Sequence, residues 1–164
     1  MMSTTRDLVL RPTLVVPADT TGAAGDAWRA DVAGSSGALF CEAVLGLRPD
    51  TYEAAFTRVV FPGGHAGARV RRGQAISLAE SQPAGHVFLL VGQYVRRAFR
   101  VDGLDVPSIQ PLVCQHGIHT AVLLPHPSVK NRSLELAKAA VACQRILRDV
   151  LPHIPFDETN QENP

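Results

Sequence analysis

His119-Thr-Ala-Val-Leu-Leu-Pro125, followed by His126-Pro127-Ser128 and Val129-Lys-Asn-Arg132, is the stretch on which the fold turns. Its first part is an apolar run of strand length, and a long helical segment follows its last. A buried strand that passes through a short turn into a helix is the repeating unit of α/β sheets, whose ligands bind beyond the carboxyl ends of the strands. The spacing therefore predicts that the imidazole of His126 stands on that rim.

Outward from this point, three further apolar runs read as short buried strands: Thr13-Leu-Val-Val16 after Pro12, Arg58-Val-Val-Phe61 before Pro62-Gly-Gly64, and His86-Val-Phe-Leu-Leu-Val91 before Gly92. Helical spacing runs from Ser36 to Leu45 with Gly46 as a stop, from Pro49 to Ala55, from Gln74 to Ser81 and from Tyr94 to Phe99. The last helix runs from Ser133, a capping residue, to about Leu151, with Leu134, Ala137, Val141, Ile146 and Val150 as its core stripe. The Gly- and Arg-rich segment after Phe61 reads as a loop, as does Val101 to Gly117 with room for a short strand, and Pro152 onward reads as a frayed tail. Four strands alternating with helices predict one three-layer α/β/α domain over residues 1–164, with a central four-stranded, mainly parallel sheet and flexible ends at about 1–7 and 153–164.

A chain of 164 residues, 46% apolar, is long enough for one sizeable core and short for two. No apolar stretch is long enough to cross a bilayer, and Met1-Met-Ser-Thr-Thr-Arg-Asp7 lacks the apolar core of a secretion signal, so a cytoplasmic location is expected. Cys41, Cys114 and Cys143 are odd in number and far apart, which predicts buried free thiols. The net charge is only +1, but positive residues cluster at Arg69, Arg71 and Arg72, at Arg96, Arg97 and Arg100, and at Lys130 and Arg132, a local pattern that suits phosphates. Neither Gly-x-Gly-x-x-Gly nor Gly-x-x-x-x-Gly-Lys-Ser/Thr occurs, so the usual nucleotide-cradling signatures are missing. His65, His116 and His119 with Asp19 lack ligand spacing, and neither a metal nor another cofactor is expected.

Four segments in order resemble the uracil-DNA glycosylase superfamily, especially its small bacterial and phage members. They are Leu14 to Gly25, Gly34-Ser-Ser-Gly-Ala-Leu39, Phe56-Thr-Arg-Val-Val-Phe61, and Leu89-Leu-Val-Gly92 through His126-Pro-Ser128 to the last helix. The resemblance implies a monomeric DNA glycosylase that flips one nucleotide out of DNA and hydrolyses its N-glycosidic bond, leaving an abasic site. It assigns His126 as the donor of a hydrogen bond to the departing anionic base; an imidazole near a helix N-terminus is held neutral and suits that task. It assigns Asp19, with Asp26 in reserve, as the carboxylate that positions water and balances the cation-like sugar. Pro17, Ala18, Val32, Val60 and Phe61 fall at base-pocket positions. Ser128, Val129, Lys130, Asn131 and Arg132 hold the places of the loop that enters the minor groove, and Gly92, Gln93 and Arg96 those of a phosphate contact.

The chain also departs from the pattern. Val60 stands where uracil-specific members have an asparagine that reads the pyrimidine edge, and Val32 or Ala33 stands where an aromatic ring stacks on the base, with Trp28 or Phe40 as substitutes. Without that amide the discrimination against other bases is lost, which points to a larger or modified pyrimidine of the kind found in phage DNA. Repair, phage defence and phage DNA metabolism all use such a reaction. Three cysteines are too few for the iron-sulfur cluster of some members. Two other readings are compatible with these departures: an inactive relative that binds DNA or a protein in the same groove, and an enzyme of free nucleosides or nucleotides.

Overall fold

The computed structural model describes residues 11–18, 28–63, 67–127 and 133–158. The elements are β1 (Thr13–Pro17), α1 (Ser36–Leu39) continuing as a π-helical turn (Phe40–Leu45), α2 (Pro49–Ala55), β2 (Thr57–Phe61), α3 (Ala68–Ser81), β3 (Val87–Val91), α4 (Gln93–Ala98), β4 (Ser108–Cys114), β5 (Gly117–Leu124) and α5 (Ser133–Val150). One sheet holds the strands in the order β2-β1-β3-β5-β4. β1, β2, β3 and β5 run parallel, and β4 pairs antiparallel with β5 on the edge. The protein is an α/β fold, with five strands rather than the expected four.

The fifth strand has a physical explanation. Pro111 interrupts Ser108-Ile-Gln-Pro-Leu-Val-Cys114, and a proline is tolerated in a strand only at the edge of a sheet, which is where β4 lies. Its partner residues Cys114 and Gly117 are joined through Gln115-His116, without the Asn-Gly or Asp-Gly pair that advertises a hairpin.

Alternate residues of each central strand feed opposite faces, because side chains alternate across a sheet. Leu14, Val16, Leu89, Val91, Val122 and Leu124 join Phe40, Val44, Tyr52, Cys143 and Leu147 in one core. Val15, Phe88, Leu90, Ala121 and Leu123 join Ala75, Ala79, Val95 and Ala98 in the other. The strands are thus apolar on both sides and covered twice, the three-layer arrangement expected of parallel sheets.

Several boundaries differ from the sequence reading. α3 begins at Ala68, so Arg69, Arg71 and Arg72 lie on a helix and not in a loop. Among the described side chains of α5, Ala140, Cys143, Gln144 and Leu147 are buried and Ile146 and Val150 pack against the core, whereas Ala137 is exposed and Val141 is 60% exposed; the side chain of Leu134 lies outside the described residues. Gln144 joins the buried face by donating from Nε2 to the carbonyl of Val44 at 3.2 Å. The segment after Pro152 is not frayed as far as Glu158: Ile154 and Phe156 are buried, Phe156 lies against Phe56, and Glu158 accepts the backbone N–H of Arg48 at 2.6 Å. Two prolines hid this segment by removing any helical or strand period.

Cys41 and Cys143 are buried free thiols, and burial pushes each thiol up to about 12, which leaves both unreactive; Cys114 is only half-buried. No helix among the described residues is long and apolar enough to cross a membrane.

Candidate functional site

The sheet order creates a topological switch point. From β1 the chain moves to one side to form β2, and β3 then takes the opposite side of β1. The strands that follow β1 and β3 thus lie on opposite sides of this pair, and α/β sheets bind ligands at such a switch point. Pro17 closes β1, Gly92 follows β3, and His126 follows β5, all at this end.

These three residues meet. A Cβ built on Gly92 would lie 3.5 Å from Cγ of Pro17 and 3.7 Å from Cδ2 of His126. Gly92 itself has φ 87° and ψ 160°, a conformation open in practice only to glycine, and from there the chain enters α4. Its N–H points to the carbonyl of Leu124 at 3.4 Å, tying the exit of β3 to the end of β5. Arg96, one turn into α4, donates to the same carbonyl at 3.3 Å. Burial lowers the pKa of its guanidinium, with Asp102 opposing the shift. One of its N–H groups therefore fixes the strand end behind His126.

Trp28 backs His126 from the core side. Its ring is fully buried, meets the ring of His126 edge-on at 5.4 Å and that of Phe40 at 6.0 Å, and donates from Nε1 to the carbonyl of Pro17 at 2.7 Å. The backbone of Trp28 is held as firmly as its ring: its carbonyl accepts the hydroxyl of Tyr52 at 3.0 Å. Gly37 packs so closely on it that a Cβ there would lie 2.2 Å from the Trp28 carbonyl carbon. Ser35 starts α1 by accepting the N–H of Ala38 and donating to the carbonyl of Arg29, which holds the turn in front of this contact.

Neither Trp28 nor Phe40 offers a face to a stacked base, since both are completely buried; Phe40 is core, and Trp28 is the residue that seats His126. Val60 is half-buried and packs on the Trp28 side of the sheet. Phe61 points to the other side, stacked on Phe99 with centroids 5.8 Å apart, so the expectation that it lines the same pocket as His126 is corrected. Val32 is 40% exposed on the turn before α1. Ala18 donates its N–H to the carbonyl of Phe61 at 2.7 Å, which carries the chain across the end of β2, and Gln93 is exposed at the start of α4.

Asp19, Asp26, His65, Ser128, Val129, Lys130, Asn131 and Arg132 lie outside the described residues. Of the histidines considered with them, His116 is exposed and His119 is buried, donating from Nε2 to the carbonyl of Ala79 at 2.7 Å. Among the described residues no three His, Cys, Asp or Glu side chains gather to hold a metal ion.

The sequence reading missed the lock formed by Gly37, Tyr52 and Trp28. Its only signal was a lone tryptophan beside a Gly- and Ser-rich turn. No protein-family model matches the chain, and neither a curated protein nor a solved structure similar to it was found.

Proposed function

We propose that the protein is a DNA glycosylase acting on a pyrimidine other than plain uracil. The observation that carries this reading is the meeting of Pro17, Gly92 and His126 at the switch point of the sheet, with the imidazole braced by Trp28. An imidazole braced by a buried ring at the switch point is a donor aimed before the reaction starts, which is what stabilises charge as it develops on a leaving group.

In the proposed reaction the bond between the sugar C1′ and the base nitrogen breaks, and its electron pair leaves with the base. An N–H of His126 donates to the base oxygen on which that charge gathers. Asp19 follows β1 two positions beyond Pro17. Its carboxylate balances the cationic sugar and accepts a proton from the water whose oxygen bonds to C1′. The products are the free base and an abasic site. Val60 has no amide with which to read a pyrimidine edge, and this favours a modified base over strict uracil recognition.

Incubating the purified protein with uracil-containing DNA and with phage DNA carrying modified pyrimidines, then measuring abasic sites, tests the reading. Abasic sites should form in at least one DNA carrying modified pyrimidines and be lost in Asp19→Asn and His126→Ala, whereas abasic sites in the uracil-containing DNA alone would overturn the assignment of the base. Absence of abasic sites in every DNA would sink it, and retarded migration of DNA without cleavage would identify an inactive binding module instead.

A further inference from the structure

Two arginine clusters about 25 residues apart in sequence converge in the fold. The first turn of α3 brings Arg71 and Arg72, and α4 brings Tyr94 and Arg97, to the walls of one recess of about 160 Å³. The recess adjoins the rim, because Arg71 donates to the carbonyl of Pro62, the residue after β2, and α4 begins just past Gly92.

Three arginines line one small hollow, and contacts of other kinds hold them there. Arg71 is 4% exposed and lies over the ring of Tyr94 at 4.9 Å. Arg72 donates from one terminal nitrogen to the carbonyl of Ala98 at 2.7 Å, while its Nε is buried with no hydrogen-bond partner among the described residues. Desolvation and the nearby charge of Arg100 both work against the charged form of Arg72. Among the described residues, Asp102 stands 4.0 Å from Nε of Arg97, at the limit of an ion pair, and both side chains are about half exposed. An anion in the recess would complement these positive charges, and the planar fork of arginine matches the oxygens of a phosphate.

We infer that the recess between α3 and α4 binds a phosphate group. That the phosphate belongs to a strand of DNA rests on the glycosylase reading; the shared chemistry of a backbone phosphodiester and free phosphate does not.

The test compares the wild type with Arg97→Gln, with the double variant Arg72→Lys/Arg97→Gln, and with Arg145→Gln, an exposed position on α5 that removes the same charge elsewhere. Lys at position 72 keeps the charge and removes the fork. Binding of a short single-stranded oligodeoxynucleotide is measured across a salt series, and binding of inorganic phosphate by calorimetry. The double variant should bind the oligonucleotide roughly tenfold more weakly at low salt. Its plot of log affinity against log salt should be shallower by about 0.7, the loss of one phosphate contact on a single strand, with Arg145→Gln near the wild type. A loss confined to the inorganic phosphate arm would also support the recess and name free phosphate as its ligand. Unchanged binding in both arms would overturn it. Abasic-site formation is scored separately, so an inactive protein whose phosphate binding still depends on Arg72 and Arg97 would remove the glycosylase reading and leave this one.

Discussion

The two ends of the parallel sheet use histidine in opposite ways. At the amino ends, His86 and His119 are 7% and 1% exposed, with ring centroids 6.4 Å apart and Phe88 against both. His86 is hydrogen-bonded to Thr13 Oγ1 at 2.8 Å, and His119 is held by the carbonyl of Ala79. At the carboxyl ends, His126 is half-buried, edge-on to Trp28, and lies beside Gly92 at the switch point between β1 and β3. The same side chain is a sealed packing element at one end and a braced, accessible one at the other, so location on the sheet distinguishes the roles where residue type does not.

The largest effect on this contrast should come from Trp28→Ala, which removes the buried support behind His126. Deleting a fully buried tryptophan should cost about 3–5 kcal/mol, read as a lower urea midpoint at unchanged slope. A loss under about 1 kcal/mol would mean that the brace is not rigid.

His126→Gln separates function from stability. Under the glycosylase proposal, abasic-site formation should fall by about 10²-fold or more while the thermal midpoint stays near that of the wild type. A large drop in the midpoint would make His126 a packing residue like those at the opposite end and erase the comparison.

His119→Ala should do the reverse. It leaves the Ala79 carbonyl without its donor and opens a void, at a cost of about 2 kcal/mol in chemical denaturation, with activity per folded molecule unchanged.

The smallest effect is that of pH at the sealed end. Desolvation, with repulsion from His119, lowers the pKa of His86 in the folded state. Below the unfolded value of about 6.5 the unfolded chain takes up a proton there more readily than the native protein does, so stability present at pH 7 is lost as the pH falls toward 5. His86→Asn should flatten the urea midpoint over that interval; an undiminished slope would assign it to other groups.

Much of this arrangement was legible in the chain. Thr13-Leu-Val-Val16, Arg58-Val-Val-Phe61, His86-Val-Phe-Leu-Leu-Val91 and the run from His119 carry enough contiguous apolar side chains to demand burial on both faces, and all four are strands. His126 was placed on the rim by the same reasoning. What escaped was set by tertiary contact. Edge geometry makes Pro111 acceptable in β4, and a carbonyl of the π-helical turn makes Gln144 a core residue. The closeness of Gly37 to Trp28 cannot be inferred from either residue alone. The convergence of Arg71 and Arg72 with Arg97 depended on α3 starting at Ala68, where Gly73 weakens the helical signal and the arginines suggest a solvated loop.

The short segment from Pro152 to Glu158 works as a latch across the seam between α5 and α2. Asp157 pairs with Arg148 at 3.0 Å, and Phe156 plugs the gap beside Phe56. A chain clipped after Leu151 would keep every strand and helix yet bare a greasy cleft between them, so trimming for crystallisation or fusion should begin no earlier than the residue after Glu158.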